Sequence, residues 1–152
     1  MEANFFSRFP TFQPDPSAPI TAEFACLAHH MNWWPSSTVY RTEWANFLAA
    51  EFIRCFGAGT KLQQYQALYQ ALGLEEPVPT SITQCRKALG RVHVNLIDLI
   101  DANRLGKEVR KFQSVAALAK YTRKKQKAFP KAAAKKEGVL RDLLREIWGK
   151  TY

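Results

Sequence analysis

The sequence predicts an all-α fold: a compact bundle of five or six helices with an ordered N-terminal arm rich in proline and phenylalanine. Three observations predict it. Apolar residues recur at helical spacing in most of the 152 residues. Capping residues and glycine stops separate those stretches. The composition, 47% hydrophobic and 12% aromatic, is that of a globular chain with enough apolar surface for a core.

Residues 1–19 form the arm. Phe5, Phe6, Phe9 and Phe12 alternate with Pro10, Pro14, Pro16 and Pro19. Proline blocks regular helix, and so many phenylalanines imply a segment laid across the helices. A first helix is expected over 19–32, with Phe24, Leu27, Ala28 and Met31 on one face and Trp33-Trp34-Pro35 ending it. The second starts at the Ser36/Ser37 cap and runs to Phe56, burying Tyr40, Trp44, Phe47, Leu48, Phe52 and Cys55, with Gly57 and Gly59 as stops. Thr60 caps the third, which ends at Gly73. After the stiff loop Glu75-Glu76-Pro77-Val78-Pro79, the Ser81-Ile82-Thr83-Gln84 capping box opens a long fourth helix to Ala102. Within it, Val92-His93-Val94-Asn95 is too short to count as a strand. Residues 103–113 are a basic connector. Ser114 caps a fifth helix ending before Pro130, residues 131–137 add a turn or two, and a last helix covers 139–148. Nothing divides the chain, so one domain over 1–152 is expected.

Charge is the most uneven property. The net charge is +9, yet residues 1–103 carry seven cations and nine acids, and residues 104–152 carry fifteen cations and four acids, a net +11. No acid occurs from Val109 to Lys136. On a helical period Lys120, Arg123, Lys124, Lys127 and Lys131 share a narrow arc, opposite Val115, Leu118, Thr122 and Phe129. Such a stripe spans roughly 16 Å, a few phosphates along a duplex strand. Lys125, Lys135 and Lys136 flank it, and Arg141 and Arg145 sit one turn apart on the next helix. A solvated helix usually mixes glutamate with lysine. The missing acids therefore point to a polyanionic partner, a nucleic acid and DNA first, held by its phosphates without base readout. A chromatin-associated module fits this pattern. Zinc-finger, RNP and KH signatures are absent, and the match of 118–144 to a helix-turn-helix is poor. Arg123-Lys124-Lys125-Gln126-Lys127 also has the form of a nuclear localisation signal, so a nuclear location is expected, with a cytoplasmic one as the alternative.

Other chemistry is weaker. Cys26, Cys55 and Cys85 are odd in number and widely spaced, which reads as reduced, packed thiols of an intracellular protein. Cys26-x-x-His29 alone has metal-ligand spacing, so no metal and no cofactor is expected. His93, Asp98 and Asp101 are poorly aligned for acid–base work and lack a nucleophile, so no enzyme activity is expected. No apolar run reaches about 18 residues, and no membrane partner is expected. Trp33, Trp34, Trp44, Phe5, Phe6 and Tyr40 read as core, or as a groove for a protein. The alternative function is accordingly a protein-interaction domain that offers this aromatic half, or the basic face, to an acidic protein. Oligomeric state is not legible.

The segments Phe5-Phe6-Ser7-Arg8-Phe9-Pro10, Ser81-Ile82-Thr83-Gln84-Cys85-Arg86-Lys87-Ala88-Leu89 and Val92-His93-Val94-Asn95-Leu96-Ile97-Asp98-Leu99-Ile100-Asp101 resemble a family of fungal proteins predicted from genomes. The likeness extends over nearly the whole chain. That family has no established activity; the resemblance implies a fungal, intracellular domain and transfers no site residue.

Overall fold

The computed structural model describes residues 4–136, with side chains to Ala133. Among these residues the chain is all-α. A 3-10 turn, Phe5–Arg8, precedes α1 (Ile20–His30), α2 (Thr38–Phe56), α3 (Lys61–Ala71), α4 (Ile82–Gly90), α5 (Leu96–Leu105), α6 (Val115–Lys125) and α7 (Lys131–Lys136). The helix expected over 139–148 lies outside the described residues.

α2 is the axis of the bundle and touches α1, α3, α5, α7 and the arm. Ser37 accepts the Tyr40 N–H to cap it, and eight of its residues are buried. Phe47 sits amid Phe5, Phe6, Phe24 and Trp44, with ring centroids 5.2–6.2 Å apart. Aromatic groups at that spacing pack favourably beyond their area alone. Thus the arm is ordered, as its phenylalanines predict: Phe5, Phe6 and Phe9 are buried. Arg8 fastens it through two bonds, 2.7 and 3.1 Å, to the buried Glu43 of α2. That pairing holds the Arg8 guanidinium above its ordinary pKa, mainly through the hydrogen bond.

Four expectations need correction. α1 stops at His30, two residues short of the expected end, because Asn32 turns left-handed (φ 59°) and the N–H groups of Asn32 and Trp33 close on His29 and Ala28. The long helix to Ala102 is two helices. Gly90 weakens the first, and Asn95 takes extended geometry and accepts the Asp98 N–H, which starts α5 afresh. Between them His93 forms an antiparallel bridge to Phe112, whose N–H donates to the His93 carbonyl at 2.8 Å. The apolar period survives this break because Leu89, Val94, Leu96 and Leu99 all enter one core. Third, α6 ends at Lys125 rather than near Pro130. Gln126 is left-handed (φ 55°), and the N–H groups of Gln126 and Lys127 return to Arg123 and Thr122. Fourth, Val115, expected inside, is 43% exposed.

The caps at Thr60 and Ser81 stand where the sequence puts them. Thr60 and Gln63 form a reciprocal capping box, and Ser81 accepts the Gln84 N–H.

Candidate nucleic-acid interface

α6 lies at the edge of the bundle. Ser114 caps it by accepting the Ala117 N–H, and Leu118 is its one buried residue. So little apolar surface does not fix a helix, and polar bonds from α5 do much of the fastening. Asn95, itself buried, donates to Thr122 Oγ1 at 3.2 Å and to the Lys127 carbonyl at 3.0 Å. One turn on, Asp98 accepts from the Tyr121 hydroxyl through one oxygen and from Lys127 Nζ through the other, each at 2.6 Å.

This latch has a definite electrostatic state. Burial raises the Tyr121 pKa first, and the hydrogen bond and charge of Asp98 raise it further. Burial opposes the Lys127 ammonium, but Asp98 and Tyr121 outweigh it and its pKa is also raised. Both groups are therefore protonated at neutral pH and serve Asp98 as donors. Asp101 faces the same side of α5. Burial raises its pKa against the opposing hydrogen bond from the Ile20 N–H at 2.8 Å, the contact by which it helps start α1. Asp98, Asp101, Arg110, Tyr121 and Lys127 line one cavity of about 430 Å³. His93 is tied instead to the bridge at Phe112.

With its inner face latched, α6 turns Lys120, Arg123, Lys124 and Lys125 outward. All four are exposed, and none makes an ion pair with a described residue. The expected five-residue stripe is thus broken. Lys127 leaves it, because the left-handed turn at Gln126 directs it to Asp98. Lys131 is exposed but belongs to α7, which packs on α2 beside the buried Phe129 and Ala133. Lys135 and Lys136 follow it on the α7 backbone, and Arg141 and Arg145 lie outside the described residues.

Three cations that periodicity did not single out precede α6 in the chain. Lys107, Arg110 and Lys111 of the connector are exposed. The Arg110 guanidinium lies 4.7 Å from the Phe112 ring centroid and 5.4 Å from that of Tyr121, a cation–π arrangement. The Phe112 and Tyr121 rings are 4.8 Å apart. The sequence signal for Arg110 and Lys111 was the acid-free run from Val109, which begins before the helix does.

The cysteines do not converge. Cys85 is buried and Cys55 half-buried, with burial raising both thiol pKa values. Cys26 is exposed, against expectation, because it lies on the outer side of α1. Among the described residues no three metal-ligating side chains gather, and no helix is long and apolar enough to cross a membrane. In the aromatic half, Trp44 and Tyr40 pack on the core. Trp34 is 76% exposed beside a largely apolar cavity of about 350 Å³ that Trp33, Tyr40 and His29 also line.

The fold and this surface define a class, an all-helical domain with a latched cationic helix at its edge. No family model, curated protein or solved structure matches the chain.

Proposed function

We propose that the domain binds nucleic acid, duplex DNA in the first instance, through the phosphate backbone. The observation that carries this is the outer face of α6, where Lys120, Arg123, Lys124 and Lys125 are exposed without acidic partners among the described residues. Phosphates neutralised by such a face release counterions, so affinity falls with salt by about 0.9 log units per contact and decade. Arg110 and Lys111 extend the face, and Lys131, Lys135, Lys136, Arg141 and Arg145 lend further positive charge from the following segment. The role is binding without chemistry, in a nuclear and chromatin-associated setting. The test is fluorescence anisotropy with a labelled random duplex at two salt concentrations. It compares the natural chain with a variant in which Lys120, Arg123, Lys124 and Lys125 are glutamine. Salt-sensitive binding lost in the variant supports the proposal. A folded protein that ignores the duplex at low salt overturns it.

A second reading, a protein-interaction domain, rests on Trp34, an exposed tryptophan beside an apolar cavity. Exposed tryptophans are frequent anchors of protein interfaces. Binding of that kind is nearly indifferent to salt and is lost in Trp34→Ala rather than in the α6 variant.

A further inference from the structure

Arg110 is held differently from the cations of α6. Its guanidinium lies over two rings, 4.7 Å from the Phe112 centroid and 5.4 Å from that of Tyr121, and the rings are 4.8 Å apart. Both rings are half-buried and anchored to what lies behind them. The Tyr121 hydroxyl donates to Asp98 at 2.6 Å, and the Phe112 N–H donates to the His93 carbonyl at 2.8 Å. Lys120, Arg123, Lys124 and Lys125 lie over no ring among the described residues. Arg110 itself is exposed, and it makes no hydrogen bond or ion pair with a described residue.

A guanidinium carries its N–H donors in a flat fork. Rings against its face hold the fork in place and leave its donors open to a ligand. Less side-chain freedom is then lost on binding than by a lysine that must first be ordered. Such a fork fits two acceptors lying in one plane, either two phosphate oxygens or O6 and N7 of guanine. The rings decide between them. An aromatic face carries partial negative charge, so phosphate oxygens beside Phe112 and Tyr121 meet repulsion. The edge of a neutral base does not. Tyr121 stands one helical turn before Lys125 on α6, which puts the fork beside the cations that hold the duplex.

We infer that Arg110 reads guanine, donating to O6 and N7 in the major groove, so that the domain prefers duplexes containing G·C pairs. This rests on the nucleic-acid reading above, and it adds base readout where the sequence implies phosphate contacts alone.

The test is fluorescence anisotropy of the full chain with two duplexes of one sequence, the second carrying 7-deazaguanine in place of guanine. That change removes the N7 acceptor and keeps every phosphate. The expected result is binding about tenfold tighter to the natural duplex. Arg110→Lys keeps the charge but has no fork, and is expected to bind both duplexes alike. Arg110→Gln is expected to lose the preference and leave the log–log salt slope unchanged, because a base contact displaces no phosphate counterion. Equal, salt-sensitive binding of both duplexes by the natural chain overturns the inference and leaves the phosphate reading standing. So does a slope lowered by about 0.9 in Arg110→Gln, which assigns Arg110 to a phosphate. No binding of either duplex at low salt overturns both.

Discussion

α2 and α6 are held in place by opposite means. α2 buries eight residues and is surrounded by aromatic rings from α1 and the arm. α6 buries Leu118 alone and hangs on Asn95 and Asp98. The first arrangement excludes water from most of the helix, and its strength comes from apolar area and packing. The second leaves seven of the eleven α6 residues exposed, which is what a surface that meets a polyanion requires. Cohesion and display thus fall to different helices, and the polar latch lets a helix with almost no core still point its charges in one direction.

The comparison predicts unequal costs. Phe47→Ala removes the ring at the centre of the aromatic cluster and is expected to destabilise the domain by about 3–5 kcal/mol in denaturant unfolding. A cost near 1 kcal/mol would mean the cluster relaxes around the cavity and α2 is less central than it looks. Asn95→Ala deletes the α5 cap, one bond to α6 at Thr122 and one to the turn after it at Lys127, at about 2–3 kcal/mol. Hydrogen exchange is expected to rise in α6 before α2, and uniform loosening would contradict a local latch.

Asp98→Asn breaks the ion pair and weakens the bond to Tyr121. Because Lys127 is partly exposed, the expected cost is smaller, about 1 kcal/mol. Ultraviolet titration should show the Tyr121 midpoint falling while burial still keeps it high. The pH dependence has a definite sign. Lys127 and Tyr121 both bind their protons more tightly folded than unfolded. Their contribution is therefore complete below the unfolded values, near pH 10, and is lost as pH rises through the raised folded ones. Unfolding measured upward from pH 9 should show stability declining there, with the decline blunted in Asp98→Asn. The smallest effects belong to exposed apolar positions: Val115→Ala and Trp34→Ala should each change stability by no more than about 0.5 kcal/mol.

The same contrast explains what was legible in the sequence. Helices that bury apolar side chains announce themselves by period, and the caps at Ser37, Thr60, Ser81 and Ser114 stand where the pattern places them. The division between α4 and α5 was hidden because both halves feed one core and so keep one period. Its signals were Gly90 and Asn95, read too lightly. Two of the three buried glutamates were invisible for another reason. Glu43 and Glu23 meet Arg8 and Arg104 from 35 and 81 residues away, and no local pattern reports such a partner. Likewise Lys127 fitted the outer arc on an unbroken helix. Only the left-handed turn at Gln126 sends it to Asp98.

That reassignment gives the most direct test of the central claim, that the latch sorts the lysines into one that holds α6 and others that meet phosphate. The measurement is the salt dependence of duplex binding for Lys124→Gln and Lys127→Gln side by side. The account predicts that Lys124→Gln lowers the log–log slope by about 0.9, while Lys127→Gln leaves the slope unchanged and costs stability instead. A slope reduced by Lys127→Gln and untouched by Lys124→Gln would contradict it.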